Sequence, residues 1–263
     1  MKRLLLCPPD FYDIRYEINP WMSLAQTADR ELAESQWRGL RDRLKSLGCE
    51  VEVMSAQHDW PDMVFTANAG LVKGNEVLLA NFRHLERAGE ALWYEKWFGE
   101  HGFDITRLPA GIAFEGEGDA LKCGDHWCCA VGSRSDVQAH QNIAVFTGDP
   151  VVSVLLVNPR YYHLDTCFCP LGNGLAMWYP PAFDSQGQAA LQSIADDLLE
   201  VPEDEAARFA CNAVILGRNV VLPEGCPQTE KALRERNFHP HALPMSEFIK
   251  AGGACKCLVL MLN

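Results

Sequence analysis

The chain has 263 residues, of which 48% are hydrophobic and 22% are charged, and its formal net charge is −12. These values are typical of a globular protein with a large core, and the acidic balance argues against nucleic acid or an anionic membrane surface as a partner. No apolar run approaches the roughly 18–20 residues that a membrane-spanning helix needs, so no membrane association is expected.

The cysteines are numerous but carry no metal or redox pattern. There are 11 of them, an odd number, and no two have the Cys-x-x-Cys spacing of a zinc knuckle or a redox motif. The pattern therefore predicts reduced thiols in a cytoplasmic protein and no bound metal.

Taken in chain order, short turns separate pairs of apolar, β-rich runs at intervals of about fifty residues, which predicts a series of hairpins. The paired runs are 69–72 and 77–80, 120–123 and 127–131, 167–169 and 175–179, and 213–216 and 220–222. Each pair precedes a helical stretch and a further strand. These following segments are 86–101 and 104–108, 135–146 and 151–157, 185–196 and 198–201, and 229–236 and 239–243.

A fifth module of the same kind is built from both ends of the chain. Its hairpin would pair residues 257–261 with 3–6, followed by a helix over 26–47 and a strand over 49–53. Five such ββαβ modules predict a radial or stacked repeat, and a ring closed by its own ends has no exposed sheet edge.

Polar residues are concentrated in the loop before the first strand of every module. These loops are 61–68, 114–119, 163–165, 209–212 and 252–257. In a radial fold, equivalent loops converge at one end of the central channel and form a site. Because no Pro/Ser-rich linker or low-complexity segment divides the chain, we expect a single domain over residues 1–263.

Cys257 is the most informative residue in these loops. It follows the pair Gly252-Gly253, where a helical run is expected to end and a strand-like run begins. A thiol at such a junction can meet backbone N–H groups, which predicts a lowered pKa. Alone it would more often be a buried structural cysteine. His163 and Glu115, in two other loops, complete the thiol, imidazole and carboxylate set of covalent thiol catalysis.

Six segments resemble the guanidine-modifying superfamily of arginine deiminases, dimethylargininases, agmatine deiminases and amidinotransferases, with the best resemblance to arginine dihydrolases. The segments are Cys7-Pro-Pro-Asp10, Ile18-Asn-Pro-Trp-Met22, Trp60-Pro-Asp-Met-Val-Phe-Thr-Ala-Asn-Ala-Gly-Leu71, Tyr162-His-Leu-Asp-Thr-Cys-Phe-Cys-Pro170, Phe209-Ala-Cys-Asn212 and Ala251-Gly-Gly-Ala-Cys-Lys-Cys-Leu258. The resemblance implies an α/β fold, namely a five-bladed α/β propeller of pseudo-repeated ββαβ modules. It also implies a small guanidine substrate, arginine or a derivative, and hydrolysis through a covalent thiouronium intermediate without a cofactor.

Matched by position, the resemblance implies roles for individual residues. Cys257 is the implied nucleophile, His163 the general acid/base, and Glu115 the carboxylate that binds the guanidinium. Asp165 is expected either to orient the imidazole or to hold the guanidinium. The other implied substrate-binding residues are Arg87 and Arg134, for the α-carboxylate, with Asn19, Asn68 and Asp119.

Asn68 stands where many deiminases and dimethylargininases have Asp, and it agrees with the dihydrolase pattern. An amide offers both an acceptor and a donor, so it can hold a guanidinium and also the neutral ureido group of citrulline; Asn19 is a candidate second amide. This predicts a second hydrolysis, which gives ornithine, carbon dioxide and two ammonia. The alternatives are an arginine deiminase or dimethylarginine dimethylaminohydrolase that releases citrulline, and an arginine-binding sensor or scaffold. The sequence leaves a homo-oligomer open.

Overall fold

Five separate three-stranded sheets repeat one ββαβ module in the computed structural model, which describes residues 1–263. The strands are β1 Arg3–Leu6, β2 Glu50–Val53, β3 Gly70–Lys73, β4 Glu76–Leu79, β5 Asp104–Thr106, β6 Ala120–Cys123, β7 His126–Val131, β8 Val151–Leu155, β9 Phe168–Gly172, β10 Leu175–Trp178, β11 Asp197–Glu200, β12 Val214–Leu216, β13 Asn219–Pro223, β14 His239–Leu243 and β15 Leu260–Met261. The helices are α1 Arg30–Ser46, α2 Leu85–Ala88, α3 Glu90–Glu100, α4 Gln138–Thr147, α5 Ser185–Ile194, α6 Glu203–Ala206, α7 Pro227–Glu235 and α8 Ser246–Ile249.

Every sheet has the same topology. Its middle strand pairs antiparallel with the hairpin neighbour and parallel with the strand that follows the helix, as in the sheet β3-β4-β5. The fifth sheet, β15-β1-β2, joins the two ends of the chain, with Leu5 opposite Leu260. This arrangement confirms the predicted α/β propeller of five ββαβ modules.

Local sequence explains the longest helix, α1. The side chain of Asp29 caps its first turn by accepting a hydrogen bond from the N–H of Leu32. The buried residues Ala33, Trp37 and Leu40 recur every three or four positions and form one apolar face against the core. None of the helices is both long enough and apolar enough to cross a membrane.

The structure departs most from the predicted elements in two places. The predicted helix 86–101 is broken at Gly89, where a Cβ atom would lie only 2.0 Å from the ring of Trp60. The predicted strand 257–261 is reduced to Leu260–Met261, and Cys257 lies in a series of turns instead. Asn212 stabilises these turns, because its backbone carbonyl accepts from the N–H of Lys256 and its side chain accepts from the N–H of Cys257.

The loops predicted to converge do so. Short 3₁₀ turns lie just before β3, β6 and β9, and irregular turns lie before β12 and β15. Hydrogen bonds link these loops to one another, so each module contributes one loop to the same end of the ring.

Closure of the ring by its two ends is expected to contribute strongly to stability. Leu260 is fully buried, so Leu260→Ala should lower the free energy of unfolding by about 2–5 kcal/mol through lost apolar burial and the remaining cavity. The matched control is Leu92→Ala, at a side chain that is 71% exposed, which should change it by less than about 0.5 kcal/mol. Urea denaturation measures both, and equal effects would contradict the closure argument.

Candidate active site

A fully buried carboxylate, Glu115, lies at the centre of the polar cluster at this end of the ring. Its Oε2 atom is 2.8 Å from Nε2 of His163 and 2.9 Å from Nη1 of Arg134. Burial alone would raise the pKa of Glu115, but the Arg134 guanidinium and the hydrogen bond with His163 lower it well below its usual range. Glu115 is therefore ionised at neutral pH.

Cys257 lies at the equivalent position of the module that contains β15, and it is 2% exposed. Its Sγ atom is 3.0 Å from Nδ2 of Asn212 and 3.4 Å from Oδ2 of Asp165. Burial raises the pKa of the Cys257 thiol, and the Asp165 carboxylate raises it further. The predicted lowering of the pKa at the glycine junction is wrong, because these two effects outweigh the N–H donors of Ala254 and Asn212.

Asp165 is placed against the sulfur and not against the imidazole, which pairs with Glu115 instead. Of its two expected roles, this placement favours holding a guanidinium. Burial raises the pKa of Asp165 to about 7, although the ammonium group of Lys256 lowers it in part. Asp165 and Lys256 also line a cavity of about 200 Å³.

Asn68 is buried beside Glu115 with its amide orientation fixed by two neighbours. Nδ2 donates to the backbone carbonyl of Glu115 over 3.1 Å, and Oδ1 accepts from Nη1 of Arg87 over 2.9 Å. Gly118 permits this packing, because a Cβ atom there would lie 2.3 Å from Nδ2 of Asn68 and 3.4 Å from the ring of His163.

The two arginines predicted to bind a substrate carboxylate are both paired with acids of the chain itself. Arg134 donates to Glu115 and to the carbonyl of Ile18. Arg87 forms a two-pronged ion pair with Glu90 and also donates to Asn68 and to a backbone carbonyl. These contacts use four of the five N–H groups of Arg87 and leave one on Nη1.

Asp119 lies behind the cluster and does not face the sulfur. Its carboxylate accepts from Oγ of Ser135 over 2.6 Å and from the backbone N–H of Leu164 over 3.2 Å. Ser135 in turn accepts from the N–H of Glu115, so Asp119 supports the loops that carry Glu115 and His163. Burial raises the pKa of Asp119 to about 6.

Asn19 belongs to the segment between β1 and α1, which covers the cluster. Its Nδ2 donates to the carbonyl of Ala251, and its Oδ1 accepts from the N–H of Trp21. The neighbouring carbonyl of Ile18 accepts from Arg134, so the covering segment is hydrogen-bonded to the site itself.

The cluster is suited to a ligand that carries positive charge. Oδ1 of Asp165 and Oδ1 of Asp62 are buried carboxylate oxygens without a hydrogen-bond partner. Buried oxygens of this kind are normally satisfied by donors. No three His, Cys, Asp or Glu side chains are arranged to hold a metal ion.

Sequence reasoning missed three residues that the structure places in the cluster: Asn212, Glu90 and Ser135. The sequence did contain a signal for Asn212, because this residue lies in the one module loop for which no functional residue was predicted. Glu90 had none, since a charged residue at the start of a helix is normally solvated.

Comparison with known proteins agrees with this geometry. A family model described as eukaryotic N,N-dimethylarginine dimethylhydrolase matches residues 17–262. The bifunctional arginine dihydrolase/ornithine cyclodeaminase ArgZ of Synechocystis is 42% identical over 98% of this chain, which spans only 37% of that relative. The N(G),N(G)-dimethylarginine dimethylaminohydrolase of Mycobacterium tuberculosis is 37% identical over the whole chain and 86% of its own length.

A solved structure agrees over the full length of the chain. The N-terminal domain of ArgZ, an arginine dihydrolase from cyanobacteria, superimposes with a TM-score of 0.97 at 40% identity, covering 100% of this chain and 98% of that domain. With the family match and these identities, the chain belongs to the dimethylarginine dimethylhydrolase family of guanidine-modifying proteins.

Proposed function

We propose that the protein is a cysteine-dependent hydrolase of the arginine guanidino group, acting as a single domain over residues 1–263. Arginine would be converted to ornithine, carbon dioxide and two ammonia. The observation that carries the proposal is the convergence of the Cys257 thiol, the His163–Glu115 pair and the Asn68 amide at one end of the ring.

The comparisons support the same reaction. The N-terminal domain of ArgZ is described bound to substrate, bound to product and, in a variant, covalently bound to a reaction intermediate. Because the chain covers 98% of that domain, it matches the dihydrolase part of the bifunctional relative. The second candidate is hydrolysis of dimethylarginine, which the family match and the mycobacterial relative favour.

Substrate binding would proceed by an exchange of buried ion pairs. The arginine guanidinium would replace that of Arg134 at Glu115 and also meet Asp165, while Arg134 turns to the substrate α-carboxylate. The remaining N–H of Arg87 would be available to the same carboxylate. Every buried charge then keeps a partner, which matters because an uncompensated one costs about 3–5 kcal/mol. Agmatine, which lacks a carboxylate, would leave Arg134 unpaired.

The first hydrolysis needs only the residues of the cluster. The Cys257 thiolate attacks the guanidinium carbon, and protonated His163 gives its proton to the departing ammonia, leaving a thiouronium on the sulfur. His163 then takes a proton from water, the hydroxide adds to the same carbon, and the C–S bond breaks. Loss of one proton from the product gives citrulline and restores the thiolate and the protonated imidazole.

The second hydrolysis repeats these steps on the ureido carbon. Thiolate attack with proton transfer from His163 releases the second ammonia and leaves a thiocarbamate on the sulfur. Water, activated by His163, displaces the sulfur and forms the carbamate of ornithine, which loses carbon dioxide. Citrulline stays for this step if an amide N–H, here that of Asn68, can donate to the ureido oxygen.

All 11 cysteines are buried and unpaired, and an active thiol requires reducing conditions. These features support a reducing compartment such as the cytoplasm.

We expect Cys257→Ser to lower kcat for arginine by about 10³-fold or more, because a hydroxyl cannot replace the thiolate nucleophile. The matched control is Cys255→Ala, at a buried thiol two residues away, which should retain most activity. Ammonia release measures both variants. Substantial turnover by Cys257→Ser would contradict the assignment.

Arginine affinity should depend on pH through Asp165. Its pKa is about 7, so the carboxylate that receives the guanidinium is protonated below that value, and affinity should fall up to about tenfold per pH unit. Calorimetry with the Cys257→Ser variant measures binding without turnover between pH 5 and 8. The double variant Cys257→Ser/Asp165→Asn should lose the part of this dependence that lies near pH 7, and identical profiles for the two proteins would rule out the assignment to Asp165.

The product distribution tests the role of Asn68. Asn68→Asp removes both amide N–H groups, the one that donates to the Glu115 carbonyl and the one that would donate to a ureido oxygen, and an unsatisfied buried acceptor costs about 1–3 kcal/mol. We therefore expect ornithine formation to fall more than arginine consumption, with citrulline accumulating. Mass spectrometry of products from arginine, citrulline and dimethylarginine makes the comparison. If the unaltered protein stops at citrulline, the arginine deiminase alternative replaces the dihydrolase proposal. If it prefers dimethylarginine, the dimethylarginine dimethylaminohydrolase alternative replaces it.

A further inference from the structure

Asn212 has the most completely used side chain in the cluster. It is fully buried in the loop before β12, and its Oδ1 accepts from the backbone N–H groups of Ala254 and Cys257, each over 3.1 Å. Its Nδ2 donates to the carbonyl of Asp165 over 3.1 Å and to Sγ of Cys257 over 3.0 Å. Two donors and two acceptor positions are all that an amide offers, and all four are used.

These partners fix the orientation of the amide. Two backbone N–H groups can face only the oxygen, so the nitrogen must face the sulfur and the Asp165 carbonyl. The other side-chain atom bonded to Sγ is Oδ2 of Asp165, a carboxylate oxygen that opposes formation of a thiolate. The side-chain N–H of Asn212 is thus placed to stabilise the thiolate against the unfavourable effect of this carboxylate.

We propose that Asn212 is a further catalytic residue, which donates a hydrogen bond to the Cys257 sulfur, stabilises the thiolate and holds it at the guanidinium carbon. This inference rests on the proposed function, in which Cys257 is the nucleophile. The same side chain also accepts hydrogen bonds from the backbone of the turn 254–257. One residue therefore stabilises the loop and favours ionisation of its thiol. A hydrogen bond to a charged acceptor is stronger than one to a neutral group, so Asn212 favours the ionised sulfur over the thiol.

The test separates the two functions of the side chain. Asn212→Asp keeps an oxygen for both backbone N–H groups but puts a second oxygen opposite the sulfur. Asn212→Ala removes the donor without adding charge. The control, Asn219→Asp, adds a charge in the same module at a residue that bonds Leu216 and His241 and does not bond the sulfur.

The readout is the pH dependence of iodoacetamide alkylation at Cys257, followed by peptide mass spectrometry between pH 6 and 10. We expect both Asn212 variants to alkylate about tenfold more slowly at each pH below the midpoint, which corresponds to an upward shift of the pKa of Cys257 by about one unit. Asn219→Asp should follow the unaltered protein.

An unmoved alkylation profile in either folded Asn212 variant would overturn the proposal and leave Asn212 a purely structural residue. If Asn212→Asp does not fold, as judged by its melting transition, the Asn212→Ala profile decides alone. Because alkylation does not require turnover, this result is independent of the activity of Cys257→Ser. Activity in Cys257→Ser would refute the proposed function, whereas an unmoved profile would refute only the part assigned to Asn212.

Discussion

Glu115 is completely buried and still charged, and the arrangement of the groups around it follows from that constraint. A carboxylate removed from water stays ionised only where cations and hydrogen-bond donors replace the water. Arg134 and His163 do this at a single oxygen, and they come from different modules of the ring. Oγ of Ser135 accepts a hydrogen bond from the backbone N–H of Glu115. The propeller is thus the scaffold that makes a stable buried charge possible at this point.

The same constraint links binding to reactivity. With burial and Asp165 both raising the pKa of Cys257, the sulfur is mainly a thiol, which is a poor nucleophile. A guanidinium placed between Glu115 and Asp165 would reverse the local charge and favour the thiolate. Under the proposed function, reactivity would then appear only when the cation that is to be attacked is present. A buried cysteine that is mainly a thiol also reacts slowly with oxidants.

Local patterns predict four of the modules, because their hairpins are encoded by a turn such as Gly74-Asn75 between apolar runs, and the fifth follows from the same pattern at the two ends of the chain. The motifs around Cys257, His163 and Glu115 likewise located the loops. What the sequence could not reveal depends on contacts between distant positions. The turn that replaces the expected strand at Cys257 is stabilised by Asn212, 45 residues away. The pairing of His163 with Glu115 and the raised pKa of the thiol exist only after the modules close into a ring.

The acid-rich character of the cluster explains why an amide at position 68 suits the proposed chemistry. Burial raises the pKa of Asp62, Glu90 and Asp165, so the nearby arginines do not balance every carboxyl group. Another carboxylate beside Glu115 would deepen that imbalance, because Arg87, the cation that faces position 68, is already paired with Glu90. Asn68 adds no charge and is locked in place by Arg87, which Glu90 holds in turn. Under the proposed function, the site would accept a cationic guanidinium first and a neutral ureido group afterwards, and Asn68 would add no further buried charge in either step.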